Sequence, residues 1–236
     1  MEGLDERVVF VVGIHRSGTN WLAGLLSSHP DAIRVTPESL GWSTQGRTLE
    51  TAICADAYST EIVRDMFGGL PEDKVLVEKS VPHIFHLDRL REIFPGCKVI
   101  NIRRDPRDVI WSMMSSDWPR GLFPMDLPEA VEYFMKYYRA ERRYTAWTRV
   151  VHYADLVKNP VVEVLQLFLA AGLDAGPLHV HGCIKAAARG GAYPERLRGY
   201  VRTGKVGEGV RNLSRSVQDM IALSVALVDD GEEAAK

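Results

Sequence analysis

The sequence has few cysteines, no long apolar run and almost no net charge, and each shortage removes a class of protein. Cys54, Cys97 and Cys183 are scattered thiols with no C-x-x-C spacing, which suits a reducing compartment and excludes a disulfide scaffold. The longest apolar run near the N-terminus, Val8 to Gly13, is too short for a membrane span or a signal-peptide core. Lys and Arg total 29 against 31 Asp and Glu, a formal charge of -2, so no overall field draws nucleic acid or a membrane surface. Any anion recognition must be local. What is present, 236 residues with 46% apolar and 25% charged side chains, is the composition of an ordinary globular domain, neither fibrous nor disordered. The expectation is one soluble, cytoplasmic domain over 1–236, without a membrane span or a nucleic-acid partner, its oligomeric state left open.

Apolar patterning alternates between strand and helix. Arg7 to Gly13 is a continuous β-branched and aromatic run ending in glycine, the pattern of a strand buried on both faces of a parallel sheet. The helix after it carries Trp21, Leu22, Leu25 and Leu26 on one stripe and stops at His29-Pro30-Asp31. Ala32 to Thr36, Lys74 to Glu78, Cys97 to Arg103 and Arg149 to Tyr153 read as further strands. Helices are predicted over Thr48 to Phe67, from Pro82 to Phe94, from Asp105-Pro106 onward, over Glu129 to Tyr144 and over Val161 to Ala171. This order predicts an α/β fold: a single-domain three-layer sandwich around a mostly parallel sheet of about five strands, helices on both faces. Ligands should bind at the carboxyl ends of the strands. Residues 189–212 hold six glycines and six basic residues against two acidic ones, which reads as a mobile basic loop. Leu213 to Val228 reads as a closing helix and Asp229 to Lys236 as a frayed acidic tail.

The sharpest motif is Gly13-Ile14-His15-Arg16-Ser17-Gly18-Thr19-Asn20-Trp21, between the first strand and the first helix. A glycine-bounded turn there aims backbone N–H groups at an anion. Gly13 and Gly18 have the spacing of the nucleotide-binding P-loop, yet Thr19-Asn20 stands where that loop needs Lys and a hydroxyl residue. The cation lies instead inside the loop, as Arg16.

Arg16 to Trp21 resembles the 5′-phosphosulfate loop of the sulfotransferases that use 3′-phosphoadenosine 5′-phosphosulfate (PAPS) and release 3′-phosphoadenosine 5′-phosphate (PAP). Lys98 to Ser112 is similar to the 3′-phosphate segment of that family, with Arg104 at the strand end and the Ser112 hydroxyl two turns into the next helix. Tyr153-x-Asp155-Leu156-x-x-Asn159-Pro160 resembles a third family segment, to which capping and turn chemistry give a structural role. Arg202-Thr203-Gly204-Lys205-Val206-Gly207-Glu208 resembles the loop that closes over the 3′-phosphate. It has Thr203 where the family has Lys and Gly209 where it has Trp. The resemblance implies cofactor contacts from Arg16, Ser17, Gly18, Thr19, Asn20, Trp21, Arg104, Ser112, Arg202, Thr203 and Gly204, with Trp21 stacking on the adenine. Its four segments keep the family order across residues 13–214, and together with the glycine loop it implies P-loop-like nucleotide-binding architecture.

Sulfuryl transfer is an in-line displacement, so the protein must supply cations for the leaving oxygen and a base for the acceptor. Arg16 is the first such cation. Lys79, in Glu78-Lys79-Ser80, is the second, because the family places a Lys before a small hydroxyl residue there. The family histidine that follows is Val81 in this chain. Another branch of the family uses a glutamate just after the second strand, and the resemblance therefore implies Glu38, at the carboxyl end of that strand, as the preferred base, with His83 as its competitor. The alternation in His179-Val180-His181 would place both rings on one face of a strand beside Cys183, but no third or fourth ligand is apparent and no metal is expected. Trp42, Phe67, Trp111, Trp118, Phe123, Tyr133 and Tyr137 lie in segments able to wall an acceptor pocket, which favours a small-molecule alcohol or phenol. The alternatives are a nucleotide-dependent small-molecule kinase and a non-catalytic nucleotide-binding module.

Overall fold

The computed structural model describes residues 3–41, 53, 58–116, 124–188 and 206–233. Its strands are β1 (Val8–Val12), β2 (Ala32–Arg34), β3 (Val75–Lys79), β4 (Lys98–Arg103) and β5 (Arg149–His152). They form one sheet in the order β2-β3-β1-β4-β5, and every pairing is parallel. All five residues of β1 are buried, as the unbroken apolar run requires at the centre of a sheet covered on both faces. The pleat then sorts them: Val8, Phe10 and Val12 enter one core cluster, and Val9 and Val11 the other.

The helices are α1 (Leu4–Arg7), α2 (Thr19–Ser27), α3 (Thr60–Gly68), α4 (Leu87–Ile93), α5 (Pro106–Met114), α6 (Leu127–Arg143), α7 (Tyr153–Lys158), α8 (Pro160–Ala171), α9 (Pro177–Ala188), α10 (Glu208–Asn212) and α11 (Arg215–Glu233). The first core cluster draws on α3, α4, α5, α6 and α11 through residues such as Phe67, Leu90, Met113, Phe134 and Ile221. The second draws on α2, α7, α8 and α9 through Leu22, Leu156, Phe168 and Val180. The result is the three-layer α/β sandwich that the alternation of elements implied.

Several local expectations are corrected. The helix expected from Pro82 is a 3₁₀ turn over Val81–Phe85 followed by α4, because His86 at φ -132 breaks the backbone path. Helix α6 starts at Leu127, before Glu129, because Asp126 and Glu129 form a reciprocal capping box. The third family-like segment is itself the helix α7, and the Asn159 side chain makes no capping bond. Within 189–212, residues 208–212 form α10 and not a loop, while 189–205 lie outside the described residues. The closing helix runs on through the expected tail to Glu233, and Asp229 is bound by the Tyr138 hydroxyl at 2.8 Å and Arg142 at 3.0 Å. His179 and His181 lie on the helix α9, not on a strand. Two positions apart on a helix they diverge. His179 faces Asp174 at 3.1 Å, and His181 Nδ1 lies 2.9 Å from the Pro177 carbonyl. The helix expected over Thr48 to Phe67 is interrupted: Ile53 is helical, Tyr58 lies in a bend, and α3 starts at Thr60 because the Ser59 side chain caps it by accepting from the Ile62 amide.

Candidate functional site

At the carboxyl end of β1 the chain passes under β4 with no room for a side chain. A Cβ on Gly13 would stand 2.7 Å from the Ile102 carbonyl oxygen. The turn that follows is closed by the Ser17 hydroxyl donating to the Ile14 carbonyl at 2.7 Å. Arg16 takes φ 70, the single non-glycine with positive φ among the described residues, and Gly18 takes φ 107 as the N-cap of α2. Such a turn at the start of a nine-residue helix presents backbone donors together with the positive end of the helix dipole. The glycine spacing is therefore a requirement of the backbone path itself.

Arg16 and Arg104 tie this loop to the β4–α5 junction. Arg16 Nε donates to Ser112 Oγ at 3.0 Å, and Arg104 Nη1 donates to the Arg16 carbonyl at 3.1 Å. The Arg104 guanidinium also lies over the Tyr153 ring at 4.7 Å and 3.6 Å from the buried Asp108 carboxylate. Trp21 meets the same Tyr153 ring edge-on at 5.5 Å. Three segments distant in sequence thus converge on one basic corner at the carboxyl edge of the sheet, where a phosphate would meet two guanidinium groups and a hydroxyl.

Lys79, at the end of β3, is half-buried. Its two neighbours in sequence turn inward: Glu78 is 1% and Ser80 3% exposed. Glu78 accepts from Ser80 Oγ at 2.5 Å and faces His83 Nδ1 at 2.9 Å. Burial alone would push the Glu78 carboxyl up, but His83, Ser80 and Lys79 together more than offset it and hold it below its ordinary value. His83 is 0% exposed, enclosed with its carboxylate partner and edge-on to Phe10 at 5.5 Å. Glu38 is exposed, in a 3₁₀ turn just beyond β2.

His15, unassigned by the sequence reading, stands on the other side of the loop. Its Nδ1 is hydrogen-bonded to the Tyr133 hydroxyl at 2.7 Å, which in turn donates to the Tyr137 hydroxyl at 3.1 Å. Phe85 packs on Tyr137 at 4.6 Å. Burial, then the charges of Lys79 and Arg16, lower the His15 pKa to about 3, so the imidazole is neutral. His15 is thereby within electrostatic reach of both cations that the sequence nominated for the reacting group.

Of the sequence-nominated residues, Arg16, Ser17, Gly18, Thr19, Asn20 and Trp21 share one loop and helix start, and Arg104 and Ser112 join them directly. Arg202, Thr203 and Gly204 lie outside the described residues, as do Trp42, Trp118 and Phe123. Phe67 is a core residue at 0% exposure, packed on Phe94 at 4.9 Å. Tyr133 and Tyr137 do line the His15 side of the loop. Asp108 and Tyr153 were missed as organisers of the Arg104 corner, although Arg104 and Asp108 stand at the i, i+4 spacing of a helical ion pair.

A five-stranded parallel sheet with a glycine-bounded loop at its carboxyl edge, leading into a helix, defines an α/β protein of P-loop-like architecture. The chain belongs to the sulfotransferase family, whose model matches residues 8–177, and is an enzyme of that family with its P-loop-like fold. It is 26% identical over 205 residues to a putative protein-tyrosine sulfotransferase of Caenorhabditis briggsae, covering 77% of this chain and 71% of that one. It is 31% identical over 183 residues to protein-tyrosine sulfotransferase 1 of Danio rerio, covering 66% of this chain and 50% of the relative, so the match spans half of that protein's length. A mouse sulfotransferase solved in complex with PAP shares the fold, with a TM-score of 0.66 and 16% identity over 94% of this chain and 85% of the other.

Proposed function

We propose that the chain transfers the sulfuryl group of PAPS to the hydroxyl of a small-molecule phenol or alcohol, with an amine as the lesser alternative, and releases PAP. The observation that carries this reading is the Arg16–Ser112–Arg104 corner, in which the loop suited to the 5′-phosphosulfate and the strand end suited to the 3′-phosphate are directly bonded. In this reading the α2 N-terminal donors and Arg16 hold the phosphosulfate. Arg16 and Lys79 neutralise charge growing on the bridging oxygen as the S–O bond to PAP breaks. Arg104 and Ser112 hold the 3′-phosphate and Trp21 the adenine, and Arg202, Thr203 and Gly204 are assigned to the same phosphate by resemblance alone. Glu38, open to solvent at the strand edge, is the base that takes the acceptor proton, since His83 is enclosed with Glu78. His15, Tyr133, Tyr137 and Phe85 give the acceptor side an aromatic wall suited to a phenol.

A tyrosyl side chain is a phenol too, and the two relatives named as protein-tyrosine sulfotransferases favour it as a second reading of the acceptor. Calorimetric titration with PAP, and in parallel with ATP plus magnesium, tests the donor. Micromolar PAP binding without magnesium supports the proposal, and preference for ATP replaces it with the kinase reading. Transfer from PAPS to a panel of small phenols and to a tyrosine-containing peptide then separates the acceptors. Glu38→Gln should abolish transfer at unchanged PAP affinity. Full activity in that variant would overturn its role as base.

A further inference from the structure

Asp108 is a buried carboxylate that the reaction does not need for charge. It sits in the first turn of α5, 1% exposed. Its Oδ2 accepts from the Gly207 amide at 2.8 Å and its Oδ1 from the Gly209 amide at 2.7 Å. Gly207 takes φ 78 as the N-cap of α10. A Cβ on Gly209 would lie 2.2 Å from the Arg107 carbonyl carbon and oxygen, so the two backbones touch and neither glycine has a ready substitute. The Arg104 guanidinium lies 3.6 Å from the same carboxylate.

One carboxylate therefore serves two clients: the turn that begins α10, and the arginine at the anion corner. With both amides docked, each oxygen of the carboxylate accepts one backbone N–H, and Arg104 stands at 3.6 Å, longer than a charge-assisted hydrogen bond. Were the turn to lift away, the buried carboxylate would lose both donors. The Arg104 guanidinium, already 3.6 Å away, would be drawn in as a replacement donor, and a close ion pair would turn it from the corner shared with Arg16 and Ser112.

We infer that Asp108 is a positioning residue: it couples docking of the Gly207–Gly209 turn to the orientation of Arg104 for the 3′-phosphate of the cofactor. The inference rests on the PAPS reading above and deepens it, because it makes the 3′-phosphate the group through which the C-terminal part of the chain is felt.

The test uses the full-length chain and compares PAP with adenosine 5′-phosphate, which lacks the 3′-phosphate. Asp108→Asn keeps one carbonyl acceptor but loses the charge and an amide partner. It should weaken PAP by about tenfold or more, on the scale of a hydrogen bond to a charged group, and change adenosine 5′-phosphate binding less than about twofold. The KM for PAPS should rise with kcat nearly unchanged. Gly209→Ala leaves Asp108 intact and dislodges the turn, so it should give the same selective loss and serves if Asp108→Asn folds poorly. Equal weakening of both nucleotides, or an unchanged PAP affinity in folded Asp108→Asn and Gly209→Ala, would overturn the coupling while leaving the cofactor reading intact. Wild-type protein that does not bind PAP would overturn both.

Discussion

Arg16 Nε donates to Ser112 Oγ at 3.0 Å, joining residues 96 positions apart in the chain. The contact matters because Arg16 holds a left-handed backbone at φ 70 that glycine would adopt more easily. A strained non-glycine residue at a ligand loop is kept for its side chain.

Arg16→Gly should therefore melt no lower than the wild type while losing transfer activity. Arg16→Ala should reduce kcat by about 100-fold to 1000-fold, the scale of removing one preorganised donor from a transition state. Ser112→Ala should mainly raise the KM for PAPS. Thermal melts alongside steady-state kinetics check all three. A large drop in stability for Arg16→Gly would show that the side chain holds the fold and not the ligand.

Gly18 is constrained twice, by φ 107 and by the Tyr153 ring, whose Cδ2 would lie 2.9 Å from an added Cβ. Gly18→Ala should cost about 1–3 kcal/mol, the range for backbone strain at such a position. In a Tyr153→Ala background the ring clash vanishes and only the backbone part should remain. Urea denaturation of the four proteins forms a double-mutant cycle with a measurable coupling. Strict additivity would show that Tyr153 does not crowd the loop.

The architecture was legible in the sequence because β1 is apolar without interruption and the helices carry clean stripes, so period alone fixed layers and strand direction. The loop was legible because Gly13 and Gly18 are forced by backbone geometry. The site was legible where local motifs carry it, at Arg16 and Arg104. It was hidden where function depends on approach between distant segments: nothing near Asp108 announces that Gly207 and Gly209 will bond to it, and nothing near His15 announces Tyr133. The extent of the last helix was misjudged because Asp229 looks like solvated tail until Tyr138 and Arg142 are brought against it.

His83 illustrates how a nominated base turns out to be enclosed. It pairs with Glu78 in the interior at 2.9 Å, and removing one member of a buried pair leaves the other uncompensated. His83→Ala should destabilise the protein by about 3–5 kcal/mol. The pH dependence follows from Glu78, whose carboxyl is held below its ordinary value of 4.5. Its contribution is fully present above pH 4.5 and is lost as pH falls from there through the lower folded value, because in that window the unfolded chain takes up a proton that the native state does not. Denaturant titrations at successive pH values should show this loss in the wild type and a flatter profile in Glu78→Gln. Unchanged stability of His83→Ala at neutral pH would sink the structural role.

His15 gives a pH signature of its own in a higher window. Its pKa is lowered from 6.5 to about 3 by burial first and then by Lys79 and Arg16. Between those values the unfolded chain holds a proton that the folded chain does not, so stability falls as the pH drops below 6.5. His15→Gln, which can still hydrogen-bond Tyr133, should flatten that part of the profile. A bound phosphosulfate or phosphate would neutralise the two cations and leave only burial, so the His15 pKa should rise when PAP binds. PAP binding at about pH 4, just above the folded value of about 3, should accordingly draw a fraction of a proton from solution, visible as a binding enthalpy that varies with the ionisation enthalpy of the buffer. The same titration in His15→Gln should show less buffer dependence. Identical proton uptake in the two proteins would place the titrating group elsewhere and remove His15 from the electrostatics of the site.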